Sequence, residues 1–217
     1  HKDRLNYGMY YQGMDILPDL GYPEYADGKW PKRAGWTKNT ISHNTVTVNK
    51  RTQDINWIGH CRLHEASEGV AVVDIASPEI YPETREYRRT LAMVDISDEE
   101  SYLVDFFRVD GGDDHILSFH AGEGEVTTQG LDLVAQAKGT YASPDIPFGE
   151  HFDGPPDGRY LASGFSYLYD VSRAKSPSPG WTMDWDLKDT WGTRLGDDPV
   201  HVKLHALSPS GETAIAH

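Results

Sequence analysis

The chain has 217 residues, 38% of them hydrophobic, and a formal net charge of -14. That length suits one sizeable all-β domain with its own core, so a single domain over residues 1–217 is expected. The acidic balance excludes nucleic acid as a partner, because phosphate backbones are gripped by clustered Lys and Arg that displace counterions. It also sets a condition on any anionic polysaccharide, which needs locally concentrated cations.

No apolar run approaches the roughly 20 residues of a membrane-spanning helix, so no membrane span is expected. No charged-then-apolar leader pattern opens the chain. Cys61 is the single cysteine, which rules out an intrachain disulfide, and it reads as a small buried hydrophobe.

In chain order the periodic segments are short and have a period of two. Asn44 to Val48 alternates, Val70 to Ala76 is a β-branched run, and Tyr87 to Asp95, Ser101 to Val109 and His115 to His120 repeat the pattern. Polar or Gly-containing breaks separate them: Ser97 to Glu100 reads as a hairpin loop, and Asp110 to Asp114 as the next turn. Two loop regions follow, around Ser143 to Pro147 and Asp153 to Gly158, before strands resume near Tyr160, Tyr167, Trp181 and Val200. No segment reads as an amphipathic helix. The fold class expected is all-β, an antiparallel two-sheet sandwich.

Candidate chemistry gathers at the start. His1, Asp19 and His43 are borderline and hard ligands of the kind zinc accepts, and three protein ligands leave a fourth position open. Asp19 sits in a Pro-Asp-Leu-Gly turn and His43 immediately precedes an alternating strand. The competing reading makes them loop residues that hydrogen-bond to backbone.

These stretches resemble the signature of the heparinase II/III-like polysaccharide lyases. That signature has three parts in order, found here as His1-Lys2-Asp3-Arg4-Leu5, Asp19-Leu20-Gly21-Tyr22, and Thr40-Ile41-Ser42-His43-Asn44-Thr45-Val46 followed by Gln53. The resemblance implies a C-terminal, supersandwich-like β domain facing an N-terminal α/α toroid across the catalytic cleft, with the toroid outside this chain. It implies zinc held by His1, Asp19 and His43, an anionic, uronic-acid-containing polysaccharide as substrate, and a periplasmic or extracellular location. The reaction it implies is β-elimination, to which this chain would contribute Tyr22 or Tyr25 as proton carrier. Without the toroid the isolated chain is expected to be inactive.

Of the remaining residues, Asn44 and Arg88 are candidate sugar contacts. Asp3 reads as a carboxylate orienting a zinc-bound His, or as a turn cap. Arg85, Arg88 and Arg89 with Lys29, Lys32 and Arg33 could form the basic patch an anionic glycan requires, or could pair with the many acids. The other histidines read as structural or surface residues. Two alternatives stay open: a non-catalytic carbohydrate-binding sandwich whose Trp and Tyr rings stack on sugars, and a copper-dependent lytic polysaccharide monooxygenase using an amino-terminal His1.

Overall fold

The computed structural model describes residues 2–19, 35–55, 58–97, 100–150, 163–175, 177–208 and 211–217. Among these residues the regular secondary structure is almost wholly antiparallel strand. They run β1 (Tyr10–Tyr11), β2 (Met14–Asp15), β3 (Val46–Val48), β4 (His60–Ser67), β5 (Val70–Ala76), β6 (Glu86–Asp95) and β7 (Ser101–Asp110). The series continues with β8 (His115–Leu117), β9 (Gly124–Gln129), β10 (Val134–Ala135), β11 (Ser172–Lys175), β12 (Thr182–Leu187), β13 (Val200–His205) and β14 (Glu212–Ile215). The all-β, sandwich-like expectation holds.

The largest sheet is the meander β4-β5-β6-β7, and a second has the order β13-β12-β9. β10-β11-β14, β3-β8 and β1-β2 complete the set. The β-branched run from Val70 to Ala76 forms its strand with the expected bounds, since both faces of an inner strand favour such side chains. β3 starts two residues later than the alternation suggests, because His43 and Asn44 are drawn into a buried polar turn. Tyr167 lies in a short 3-10 turn, Phe165–Tyr167, rather than a strand. Gly164 precedes it at φ 79°, and that left-handed residue breaks the extended chain. Tyr160 and the segment from Asp153 to Gly158 lie outside the described residues.

β4 went unrecognised in the sequence. All eight of its residues are exposed at the sheet edge, so no inward-facing apolar alternation marks it. Cys61 lies on this strand and is exposed, which corrects its reading as a buried hydrophobe.

Two apolar clusters hold the layers together. One joins Met14, Ile16 and Leu17 to Leu187, Val200 and Val202, with Tyr7, Met9 and Phe119 packed against it. The other packs Val46 and Val48 of β3 on Ile80, Tyr81 and Tyr87, with Leu5, Phe107 and Val109 alongside. The segment from Leu5 to Met9 therefore spans both cores. Its neighbours Asp3 and Asp19 are fixed in space by apolar residues on the same short stretches.

Candidate metal centre

His43 is placed by a 3-10 turn over Thr40–Ser42, whose amide at Thr40 is capped by the Asn39 side chain at 2.9 Å. The turn is wholly buried, and Thr40 Oγ1 accepts from the Gln53 amide at 2.8 Å. Closing that turn brings His43 Nδ1 within 2.6 Å of the Asn39 carbonyl. A carbonyl only accepts, so Nδ1 carries the proton and Nε2 of the neutral ring presents a lone pair. Backbone orientation of the far nitrogen is the usual support of a metal-bound histidine.

Nε2 faces Asp19 Oδ1 at 3.5 Å, the imidazole being fully buried and the carboxylate 42% exposed. Asp3 completes the group: one ligand atom from each of Asp3, Asp19 and His43 lies within 4.8 Å of the others. Asp3 opens a turn closed by the Asn6 amide on its carbonyl at 3.0 Å, with Leu5 inside it at φ 60°. Asn6 then links two limbs of the cluster. Its Nδ2 donates to Asp19 Oδ2 at 3.4 Å, and its Oδ1 accepts from the Asn44 amide at 2.8 Å.

The side chain of Gln53 holds the segment carrying Asp3 as a neighbouring strand would. Gln53 Oε1 accepts from the Arg4 amide at 2.7 Å, while its Nε2 donates to the Arg4 carbonyl at 3.1 Å and to the Tyr87 hydroxyl at 3.0 Å. Lys2 Nζ donates to the Gln53 carbonyl at 2.7 Å. This explains why a glutamine ten residues past His43 belongs to the same signature.

Arg89, 4% exposed, is the other clamp. Its guanidinium grips both oxygens of Asp105 at 3.0 and 2.6 Å and donates to the Leu5 carbonyl at 2.5 Å and to the Asn44 carbonyl. It also lies 4.3 Å from the Tyr7 ring centroid and 5.1 Å from that of Phe107. One buried cation thus ties the Asp3 turn and the peptide after His43 to β6. Burial pushes the Tyr7 phenol up to about 12 although Arg89 opposes the shift. Burial likewise pushes Tyr87 up to about 12. His120, whose Nε2 meets the Ile41 carbonyl at 2.8 Å, is held below its ordinary value by burial, with His43 a smaller contributor.

The structure brings together Asp19 and His43 of the expected ligands and adds Asp3, whose carboxylate lies among the ligand atoms themselves. His1, Tyr22 and Tyr25 lie outside the described residues, as do Lys29, Lys32 and Arg33. Asn44 is 1% exposed. Its amide oxygen accepts from the His120 amide at 2.5 Å, and its nitrogen reaches the Tyr7 and His120 carbonyls at 3.4 and 3.3 Å. Arg88 forms a fork with Asp74 at 2.7 and 2.6 Å. Asn44 reaches a sugar only by giving up these partners, whereas Arg88, 32% exposed, keeps Nη1 outside the fork, 3.6 Å from Glu86. Arg85 and Arg89 are paired as well, with Asp110 and Asp105, so the pairing alternative describes Arg85, Arg88 and Arg89 alike.

Asn6 and the anchoring role of Arg89 were missed. The only signal was nearness in sequence to Asp3 for one and a charged residue on an inward-facing strand position for the other.

One imidazole nitrogen with two carboxylates is a donor set for a small divalent cation such as zinc. Zinc bonds of about 2.0–2.1 Å in a tetrahedron set neighbouring ligand atoms roughly 3.3 Å apart. The 3.5 Å between His43 Nε2 and Asp19 Oδ1 matches that spacing.

Fold and cluster together define an antiparallel β domain with a candidate metal-ligand cluster between its N-terminal segment and the turn that carries His43. The family model described as Heparinase II/III-like, C-terminal matches residues 1–153, and the chain belongs to that family. The match takes in every residue of the cluster. β11 and β12, beyond it, pair with β10 and β9 within it. A comparison with curated proteins gives no match.

Proposed function

We propose that this chain is the metal-binding β domain of a polysaccharide lyase that cleaves a uronic-acid-containing glycan by β-elimination. The observation that carries the reading is the His43, Asp19 and Asp3 cluster, with the His43 tautomer fixed, in a member of this family.

Zinc is the proposed ion, held by His1, Asp19 and His43 with Asp3 beside them. When bound, it supplies charge that orders the chain on either side of Asp19, and its binding energy adds to folding energy. In β-elimination the proton beside the sugar carboxylate is removed by a positioned base, the carboxylate's charge is neutralised and the departing oxygen is protonated. Tyr22 and Tyr25, three to six residues past Asp19, are the proposed proton carriers of this chain. The cleft's other wall, on the reading drawn from the family, is an α/α toroid, and the isolated 217 residues turn over little. A periplasmic or extracellular setting goes with a polymeric glycan substrate; no helix among the described residues is long and apolar enough to cross a membrane.

The test is elemental analysis of the dialysed, tag-free chain beside His43→Ala and Asp19→Ala. Near-stoichiometric zinc lost in both variants supports the proposal. Copper retained without Asp19 would instead support the monooxygenase alternative, and absence of any metal would overturn the cluster's proposed role. Rapid release of unsaturated uronate by the chain alone would refute the shared-cleft reading.

A further inference from the structure

Away from the cluster, the β1–β2 hairpin and the loop of residues 188–199 build a second feature with no part in the metal reading. The hairpin turns through Gln12 and Gly13, at φ 51° and 78°. Two consecutive left-handed residues are the mark of a tight two-residue hairpin, and glycine is needed at the second on a further ground. A Cβ on Gly13 would lie 2.3 Å from the Thr193 carbonyl oxygen. The turn is therefore pressed directly against the loop, and the Leu195 amide donates to the Gln12 carbonyl at 2.7 Å.

The loop is braced at its other end too. Asp189 accepts from the amides of Thr193 and Arg194 at 2.9 and 3.3 Å. Glu123 accepts from Lys188 Nζ at 2.7 Å and from Thr190 Oγ1 at 2.8 Å. Within this framework stands Trp191, 86% exposed. An indole on a loop fixed at both ends presents its face with little further loss of chain entropy on binding, unlike an aromatic on a free tail. Leu195, Asp198 and Pro199 of the same loop join Tyr11 and Gln12 of the hairpin in lining a recess of about 80 Å³. Tyr11 is 48% exposed.

We propose that this recess is a binding site for a neutral sugar unit, stacked on Trp191 and Tyr11. Aromatic faces suit the C–H face of a pyranose, while the Asp198 carboxylate and Gln12 amide suit its hydroxyls. Charge selects the class: Asp189, Asp197 and Asp198 outnumber Lys188 and Arg194 on this loop, Lys188 is taken up by Glu123, and carboxylates repel a uronate while accepting bonds from uncharged hydroxyls. The site does not depend on the lyase proposal, and its residues are not those of the metal cluster. It would hold a neutral stretch or side branch of a glycan while the chemistry proceeds elsewhere.

Affinity electrophoresis of the whole chain through gels cast with galactomannan, hydroxyethylcellulose or polygalacturonate tests this. Retardation in at least one neutral gel is expected, with apparent affinity falling roughly tenfold in Trp191→Ala and in Tyr11→Ala. Tyr10→Ala, on the opposite face of β1, keeps wild-type retardation. Both tested rings are well exposed, so unchanged thermal midpoints are expected to separate lost binding from lost folding. Wild-type chain running freely in both neutral gels overturns the proposal. So does retardation that survives in Trp191→Ala and Tyr11→Ala, or retardation confined to polygalacturonate.

Discussion

Replacing Arg89 with methionine keeps a long side chain of similar reach and removes the guanidinium. Four acceptor atoms lose their donor at once: two on Asp105, the Leu5 carbonyl and the Asn44 carbonyl. Removing one member of a buried ion pair costs about 3–5 kcal/mol, chiefly because the remaining charge is left desolvated. Asp105 is 23% exposed, so water re-solvates part of it and offsets some of that cost. The two carbonyls add to it, at about 1–3 kcal/mol for each buried acceptor left unsatisfied. The opposing corrections leave an expected destabilisation of about 3–5 kcal/mol. Urea unfolding of wild type and Arg89→Met, read as a midpoint shift at constant slope, measures it. Asp105→Asn in the Arg89→Met background should restore at least about 1 kcal/mol, since it removes the stranded charge. The two carbonyls flank Asp3 and His43, so metal affinity should also fall in Arg89→Met. A loss below about 1 kcal/mol, with metal retained, would refute the view of Arg89 as the clamp that closes the cluster.

Further expectations follow from the same geometry. Asn6→Ala cuts the link between Asp19 and the Asn44 amide, and zinc affinity by competition with a chelating dye should drop about 10–100-fold while the fold persists; unchanged affinity would show that Asp19 needs no such support. Gly164→Ala places a Cβ 2.8 Å from Asn39 Nδ2 at a left-handed residue, so it should destabilise the chain and loosen the carbonyl that orients His43, seen as lower thermal midpoint and weaker metal binding. Tyr7 and Tyr87 are pushed up to about 12 by burial, so each folded-state phenol holds its proton past the unfolded value near 10. Their contribution is complete below pH 10 and is lost as pH rises from about 10 to 12, on the order of 2 kcal/mol for each. Denaturant midpoints that stay flat across that window would contradict it. On the acid side, hydrogen bonding from Arg88, assisted by Thr90, holds the Asp74 carboxyl below its usual range despite burial, so its contribution is lost as pH falls through the ordinary aspartate range and below. Asp74→Asn should flatten that acid limb of the stability curve.

Alternating β-branched and aromatic residues determined by themselves that the chain is an antiparallel β protein and placed β5, β6 and β7 nearly to the residue. Strand pairing rewards a pattern of period two wherever one face is buried, and that pattern is local. The spaced His, Asp and His residues likewise marked where a metal-ligand set would be sought. Tertiary structure alone decided which atoms meet. Asp3 joins Asp19 and His43 because Leu5 and Tyr7 pack into different cores and fold the intervening turn. Asn6, Gln53 and Arg89 hold that turn through bonds spanning 13 to 84 residues, a separation at which no sequence period operates. Asn44 shows the same limit in reverse: its type suits a sugar, yet burial commits its side chain to backbone groups. β4 escaped notice because exposure on both faces erases the alternation that burial writes into a sequence.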